Sequence, residues 1–219
     1  MVNMLEMLGP LNPAQKEYVG RIRDGVRGMA RLVGDLLDLD RIEKGIEAHA
    51  AAIDVRALLE SLLEEYRPEA ASHNVRLDLE TPESVPRLTA DASLLERALG
   101  NLIDNAIRYN RAGGVVHLRA EAAQGQVVFT VEDSGAGIAA ADMPRLFERF
   151  YQVTRPELDE RRGWGLGLAI VRSVAEWHHG RAWAESQLGK GSVFKLSLPN
   201  HPRQAQDVPE APPPMLLDR

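Results

Sequence analysis

Apolar residues repeat at helical spacing near the start of the chain, and the pattern predicts a helix from Ala14 to about Gly45. Five of them step along it by intervals of four and three residues, the spacing of a coiled-coil seam: Ile22, Val26, Met29, Val33 and Leu36. Leu32 and Leu39 widen this apolar stripe. We therefore expect the helix to pack against more than one neighbour.

Residues 1–8 have the composition of the end of a preceding helix. Gly9 supplies a helix stop, and Pro13 suits the first turn of the helix that follows. Two helices joined by a short connection form an antiparallel hairpin. Because the first is too short to cover the second, we expect the hairpin either to dimerise or to belong to a longer chain.

Beyond a predicted linker at 46–53, helices and strands are mixed. Helices are predicted over 54–72, 91–109 and 166–178. Asp54 and Asp91 are good N-caps for the first two, and Pro68 should kink or shorten the first. Strands are predicted over 75–79, 115–120, 126–132, 182–185 and 192–198. A short helical piece is predicted near 144–150. The order favours an α+β domain with one mostly antiparallel sheet.

Composition limits the classes of function. The 219 residues carry a formal net charge of −6, which argues against general nucleic-acid binding. The chain has no cysteine, so disulfides and thiolate chemistry are excluded. No apolar run approaches the roughly 18 residues of a membrane span, and the N-terminus lacks the pattern of a secretory signal.

One helix face carries candidate ligands for a charged small molecule. Asn101, Asn105 and Arg108 are four and three residues apart and so share one face. Amide oxygens suit Mg²⁺ and a guanidinium suits phosphate. Taken alone, the same pattern is also typical of a solvated helix face.

Glycine-rich segments follow at three further places. Asp133-Ser-Gly135-Ala-Gly137 comes directly after a strand, where a carboxylate and backbone amides could approach a flat ligand. The segment Gly163-Trp-Gly165-Leu166-Gly167 opens a helix, whose N-terminus favours a phosphate. Gly189-Lys-Gly191-Ser192 makes a tight turn into the last strand. Each is weak alone.

The order of these segments carries more weight. In sequence the chain offers NLIDNAIRYN, VEDSGAGI, LFERFYQV, GWGLGLAIV and GKGSVFKLSLP. This succession resembles the N, G1, F, G2 and G3 boxes of the bacterial sensor histidine kinases, and the resemblance covers residues 14–198. The upstream stretch QKEYVGRIRDGVRGMARLVGDLLDLDRIEKG resembles the second helix of that family's dimerisation hairpin.

The resemblance implies ATP and Mg²⁺ as ligands. Asp133 matches the acid that hydrogen-bonds the adenine amino group, and Tyr109 matches the aromatic beside the adenine. Asn105 matches the residue that ligates Mg²⁺ between the phosphates, with Asn101 lining the same site. Arg108 stands where the family usually has Lys, and either residue can contact phosphate. The other matched nucleotide-binding positions are Gly135, Gly137, Gly163, Gly165, Leu166, Gly167 and Ser192. The stretch from about 153 to 162 matches a mobile lid, in which Arg161 and Arg162 are either phosphate partners or a solvated charge run.

Three departures from the family pattern stand out. Trp164 replaces a small hydroxyl residue, which puts ordinary lid packing in doubt. His178 and His179 stand where His-Gly-Gly is common, and both are interpreted as helix-end structure. The family transfers phosphate to a histidine in a His-Glu-x-x-x-Pro motif on the first hairpin helix. The histidines of this chain fit no such frame: His49, His73, His117, His178, His179 and His201. We expect the acceptor to lie upstream of Met1.

The expected fold is an α/β-sandwich ATP-binding domain of the histidine-kinase/gyrase type, preceded by a truncated antiparallel helical hairpin. The expected units are a partial hairpin over 1–47, the ATP-binding domain over 53–199 and a disordered, proline-rich tail over 200–219. The expected function is transfer of the ATP γ-phosphate to a histidine outside this chain, for relay to the Asp of a response-regulator receiver domain.

Partners and location follow from the same resemblance. The intact protein should be a homodimer through the hairpin, in the cytoplasm and either free or membrane-anchored as a whole, with no nucleic-acid or membrane contact from this segment. Two alternatives stay open. One is a non-catalytic module that dimerises with and regulates a full-length kinase, and the other is an ATP-hydrolysing clamp of the gyrase or heat-shock chaperone kind.

Overall fold

The first described element is the long helix. The computed structural model describes residues 12–44, 50–82, 88–153 and 164–200. Helix α1 spans Pro13–Lys44, as predicted. All five residues of the coiled-coil seam are exposed, between 45% and 61%. Leu39 and Ile42 are buried on the rest of the chain, so α1 does pack through a second face. The predicted preceding helix at 1–8 lies outside the described residues.

Five strands form one sheet. They are β2 (Arg76–Glu80), β4 (Val115–Ala123), β5 (Gln126–Asp133), β6 (Arg181–Gln187) and β7 (Gly191–Pro199). Their order is β2-β4-β5-β7-β6, and only the β2–β4 pair is parallel. Gln124 and Gly125 both have positive φ, 51° and 75°, which makes the two-residue turn of the β4–β5 hairpin. The prediction of a mostly antiparallel sheet is confirmed.

Three helices cover one face of this sheet. They are α2 (Val55–Ser72), α3 (Ala92–Arg108) and α4 (Gly167–Trp177). Asp54 and Asp91 accept hydrogen bonds at 3.1 Å from the backbone N–H groups of Ala57 and Leu94, so both predicted N-caps are confirmed. Pro68 lies inside α2 without shortening it. The helices bury their apolar faces against alternate residues of β4, β5 and β7 in a single core.

A second, two-stranded sheet was not predicted. Strand β1 (Ala50–Ile53) pairs antiparallel with β3 (Leu88–Asp91), which leads directly into α3. The predicted linker at 46–53 is therefore wrong for residues 50–53. The alanine-rich β1 has no hydrophobic alternation, and its backbone pairing with β3 alone defines it as a strand. The predicted helical piece near 144–150 is only a 3₁₀ turn at Met143–Arg145.

The two adjacent histidines stand at the end of α4. His178 is its C-cap, and its Nδ1 lies 2.8 Å from the carbonyl oxygen of Val174. Its Nε2 lies 3.1 Å from the backbone nitrogen of Asp91 and accepts that N–H. His178 thus ties the end of α4 to the start of α3, in agreement with the interpretation as helix-end structure. Among the helices described, none is long and apolar enough to cross a membrane.

Candidate functional site

The polar face of α3 forms one side of a pocket. Asn101, Asn105 and Arg108 line it together with the C-cap residue Tyr109. The opposite face of α3 is apolar and buried against the sheet. This amphipathic pattern turns the two carboxamides and the guanidinium toward the pocket. The three side chains therefore share one face of α3, as predicted, and that face lines a pocket.

Asp133, the last residue of β5, lines the same pocket. It is buried, at 8% exposure, and pairs in register with Ser192. Its Oδ1 accepts the backbone N–H of Gly135 at 2.8 Å, and the backbone N–H and hydroxyl of Ser192 also donate to it. Burial raises the pKa of Asp133 to about 6, against the lowering effect of these hydrogen bonds. The site thus holds a desolvated carboxylate, an acceptor for a ligand N–H group.

The burial of Asp133 predicts how the free energy of unfolding depends on pH. Asp133 has an ordinary pKa of 3.8 and about 6 in the folded chain, so the folded state binds more protons between these values. The contribution of this group to stability therefore rises as pH falls through 6. We expect wild type to gain about 1 kcal/mol in free energy of unfolding relative to Asp133→Asn between pH 7 and pH 5. Denaturant unfolding of both proteins at the two pH values measures this difference. An equal change in the free energy of unfolding of the two proteins between pH 7 and pH 5 would contradict the prediction.

Ser186 on β6 supports Ser192, the residue that pairs with Asp133. Its hydroxyl accepts the N–H of Ile138 at 2.8 Å, and lies 2.8 Å from the carbonyl oxygen of Gly191 and 3.0 Å from the Ser192 hydroxyl. Ser186 could not be identified from the sequence, because nothing in its strand distinguishes it. Its position opposite Ser192 in the β6–β7 pair is a property of the register.

Two glycines are required by close backbone approach. A Cβ at Gly191, where φ is +110°, would lie 1.9 Å from the carbonyl oxygen of Asp133. A Cβ at Gly137, where φ is +64°, would lie 2.0 Å from the carbonyl oxygen of Gln187. Both the positive φ and the missing side chain are therefore needed to hold these loops beside the carboxylate.

Asn110 joins the end of α3 to the loop that follows β5. It is buried, at 7% exposure, and its Nδ2 donates to the carbonyl oxygen of Val115 at 3.1 Å. Its Oδ1 accepts from the Ser134 hydroxyl at 3.2 Å. Asn110 thereby holds the Asp133 loop against the pocket side of α3. Asn110 lies within the segment NLIDNAIRYN, but no sequence pattern assigned it a role.

Arg108 has an acidic neighbour one turn earlier on α3. Its Nη2 lies 3.0 Å and 3.2 Å from the two carboxylate oxygens of Asp104, and both side chains are largely buried. Asp104 lines the same pocket. The Asp104 carboxylate therefore sets the direction of the guanidinium. A phosphate bound at Arg108 would share this guanidinium with Asp104.

The amide of Asn101 has an unsatisfied donor. Its Nδ2 is buried and has no hydrogen-bond partner in the described part of the chain. A phosphate oxygen in the pocket would accept from it, which fits a phosphorylated ligand. Within the described ranges no cluster of three or more His, Asp or Glu side chains is placed to hold a metal. A Mg²⁺ ion here would rely on carboxamide oxygen and on oxygens of the ligand itself.

Most of the predicted site residues meet in this one pocket. Its lining includes Asn101, Asn105, Arg108, Tyr109, Asp133, Gly137, Gly165, Gly167 and Ser192. Gly135 contributes through its hydrogen bond to Asp133, and Leu166 is buried in the core. Gly163, Arg161 and Arg162 lie outside the described residues.

The pocket also has a contribution from α1 that the sequence did not suggest. Asp35 lines it, as does Trp164, whose indole Nε1 donates to the carbonyl oxygen of Gly28 at 3.1 Å. Trp164 thus contacts α1, while most of the predicted lid, residues 154–162, lies outside the described residues. Contacts between residues so distant in sequence leave no local signal.

Two family models match the chain. The model described as histidine kinase-, DNA gyrase B- and HSP90-like ATPase matches residues 90–202. The model described as the His Kinase A (phospho-acceptor) domain matches residues 1–45. The first match contains most of the residues that line the pocket, and the second includes helix α1.

Curated relatives carry histidine kinase names. The circadian input-output histidine kinase CikA of Thermosynechococcus vestitus is 34% identical over 212 residues, which are 95% of this chain and 29% of the relative. The alginate biosynthesis sensor protein KinB of Pseudomonas aeruginosa is 32% identical over 191 residues, 87% of this chain and 31% of the relative. The chain thus spans less than a third of the length of these relatives.

Solved structures have the same fold. The crystal structure of full-length ShkA in complex with AMPPNP superposes with a TM-score of 0.74 at 31% identity, over 87% of this chain and 40% of that one. The histidine kinase ThkA in complex with the response regulator protein TrrA has a TM-score of 0.69 at 21% identity, over 91% and 57% of the two chains, a likeness of fold alone. The chain belongs to the histidine kinase-, DNA gyrase B- and HSP90-like ATPase family, as a sensor histidine kinase region.

Proposed function

We propose that this chain is the ATP-binding, phosphoryl-transferring portion of a sensor histidine kinase in two-component signalling. It binds ATP with Mg²⁺ and transfers the γ-phosphoryl group to a histidine on a dimerisation helix, for relay to an Asp of a response-regulator receiver domain. One observation carries the proposal. A single pocket is lined both by a buried carboxylate and by a stripe of two carboxamides and a guanidinium on α3.

The base binds at the Asp133 end. The adenine amino group donates to the Asp133 carboxylate, whose other contacts with Gly135 and Ser192 fix its direction. Tyr109 lies beside the base, and Gly137 allows the loop backbone to approach it. A desolvated acceptor strengthens this hydrogen bond, because water does not compete for it.

The phosphates extend along α3. The amide of Asn101 donates to a phosphate oxygen, and Arg108 contacts another while Asp104 fixes its direction. Asn105 holds Mg²⁺ through its carboxamide oxygen, and the ion, when bound, neutralises charge that develops on the phosphoryl oxygens. The N-terminus of α4 at Gly167 adds the positive end of a helix dipole.

Transfer itself asks little covalent chemistry of these residues. A neutral imidazole nitrogen of the acceptor histidine attacks the γ-phosphorus, the bond to the β–γ bridging oxygen breaks, and ADP leaves. Positioning and neutralisation of charge supply most of the rate. Helix α1 has no histidine, so the acceptor must come from elsewhere.

The exposed seam of α1 supports a dimer. Its apolar side chains lie at heptad-like spacing and are about half exposed in the single chain. In the intact protein we expect this seam to be covered by hairpin helices of two copies. The same helices would present the acceptor histidine to the pocket and to the response regulator.

A phosphotransfer assay tests the proposal. The chain is incubated with ATP labelled on the γ-phosphate, alone and with a kinase-inactive sensor kinase fragment that carries an acceptor histidine. We expect acid-labile label on the fragment and none on the chain alone. Label on the isolated chain would refute the absence of an acceptor. ATP binding without transfer in trans would instead favour the non-catalytic regulatory module, and steady ATP hydrolysis would favour the clamp.

A further inference from the structure

Ser186 on β6 contacts two segments that line the pocket. Its hydroxyl oxygen accepts the backbone N–H of Ile138 at 2.8 Å, in the loop that follows Asp133. The same hydroxyl lies 2.8 Å from the carbonyl oxygen of Gly191 and 3.0 Å from the Ser192 hydroxyl, at the start of β7. Because Ile138 and Ser192 both line the pocket, Ser186 holds two residues of its wall.

The hydrogen bonds around Ser186 run in one direction. A hydroxyl group has one hydrogen and two lone pairs. The Ser192 hydroxyl donates its hydrogen to the Asp133 carboxylate, so this hydrogen does not serve Ser186. The Ser186 hydroxyl is therefore the donor toward Gly191 and Ser192. A chain of donors thus leads through Ser186 and Ser192 to the Asp133 carboxylate, and each bond polarises the next.

The packing of β6 accepts alanine on the face where Ser186 lies. Side chains alternate along a strand, so Ser186 shares this face with Ala182 and Ala184, which pack against the core. An alanine at position 186 would continue the row. The hydroxyl group therefore serves the hydrogen bonds to the two loops rather than the packing, and Ser186→Ala should fold.

We propose that Ser186 is a positioning residue of the nucleotide site, which acts on the adenine base through the Ser192 hydroxyl and the loop that contains Ile138. The inference rests on the proposed contact between Asp133 and the adenine amino group, and deepens it. The donors already bound to a carboxylate determine which of its lone pairs face the ligand. By fixing the Ser192 hydroxyl, Ser186 orients the acceptor for the base and leaves the phosphate contacts on α3 unchanged.

Calorimetric titration of the full chain with AMP, ADP and ATP at saturating Mg²⁺ tests the proposal. We expect Ser186→Ala to weaken the binding of all three about fivefold, because the loss of a neutral hydrogen bond acts on the base that they share. Ser186→Thr keeps a hydroxyl and should restore the affinities. Ser197→Ala is the matched control, because it removes a buried hydroxyl from the same sheet, 3.5 Å from the carbonyl oxygen of Arg181, and should change none of them.

Two further measurements separate positioning from a general loosening of the site. In phosphoryl transfer to an acceptor fragment, Ser186→Ala should raise KM for ATP about fivefold and leave kcat within about twofold of wild type. In a double-mutant cycle, Ser186→Ala should cost less affinity when Ser192 is already alanine, because the contact through which it acts is gone. An equal loss in kcat, or strictly additive effects, would contradict the proposal.

The ionisation of Asp133 gives a readout that needs no ligand. The hydrogen bonds from Ser192 lower the pKa of Asp133, whereas burial and the charge of Glu132 raise it. We expect this pKa to rise above its wild-type value of about 6 in Ser186→Ala and to return in Ser186→Thr. The carboxyl carbon resonance of Asp133, followed by NMR against pH, measures it. The other ionisable groups that line the pocket are the same in all three proteins: Asp35, Asp104, Arg108, Tyr109 and Tyr151.

The outcomes separate the two proposals. If no adenine nucleotide binds wild type, the proposed function fails, and the role of Ser186 at the base fails with it. If the nucleotides bind and Ser186→Ala keeps wild-type affinity, only the inference is overturned. A loss of affinity that grows with the number of phosphates, or one that Ser186→Thr does not restore, overturns it as well.

Discussion

Replacing Asp133 with alanine is expected to weaken ATP binding by about 100-fold, the cost of a buried charge-assisted hydrogen bond. The methyl group offers no acceptor to the adenine amino group. It also leaves the N–H of Gly135 and the donors of Ser192 without the carboxylate that now orients them. Affinity for GTP, which presents a carbonyl at that position, should by contrast remain weak in both proteins.

The matched control is Asp78→Ala. Asp78 is an aspartate of the same sheet, on strand β2, where it pairs with Arg76 away from the pocket. Calorimetry should give wild-type affinity for this variant, and circular dichroism should show that both variants fold. Unchanged ATP affinity in the folded Asp133→Ala protein would remove Asp133 from the site.

The local parts of this fold were predictable because short-range patterns determine them. Asp54 and Asp91 cap helices at the residues where the amphipathic periodicity begins. The positive φ at Gln124 and Gly125 follows from the turn chemistry of a two-residue hairpin. Strand β1 was missed, because its backbone pairing with β3 depends on residues more than 30 positions away.

The candidate site also has a part that the sequence predicts and a part that it does not. Asn101, Asn105 and Asp133 belong to sequence motifs that occur in a fixed order, and the structure brings all three to one pocket. The ion pair of Asp35 with Arg97 joins residues of two helices that are 62 positions apart in the sequence, and no spacing pattern predicts it.

The seam of α1 shows a further limit of pattern analysis. Its heptad-like spacing predicts burial, yet a single chain leaves it exposed while Leu39 and Ile42 are buried instead. Hydrophobic periodicity states that a face needs a partner, and it does not state whether the partner lies in the same chain or in another copy. A buried aspartate also needs a partner that the sequence pattern does not identify, because burying the carboxylate of Asp35 is costly unless a cation accompanies it. Arg97 supplies that cation.

Replacing Asn105 with alanine should reduce phosphoryl transfer to an acceptor fragment by at least about 100-fold, on the scale of losing one group that stabilises developing charge. The variant should bind ATP in the absence of Mg²⁺ as wild type does, because the substitution leaves the adenine contact at Asp133 in place. Wild-type affinity should rise as Mg²⁺ is added, whereas that of Asn105→Ala should not, since the carboxamide oxygen that holds the ion is gone.

Asn105→Asp separates the ligand role from packing. The carboxylate keeps an oxygen at the same position, so Mg²⁺ should again strengthen ATP binding, and it should do so in a charge-dependent manner that higher salt reduces. An Asn105→Ala protein that folds and retains the full Mg²⁺ dependence would place the ion elsewhere.

Asn101 is expected to contact phosphate and not the metal, because its buried Nδ2 is a hydrogen-bond donor without a partner in the described residues. Asn101→Ala should accordingly weaken ATP and ADP binding at every Mg²⁺ concentration, because it removes a phosphate contact and not a metal ligand.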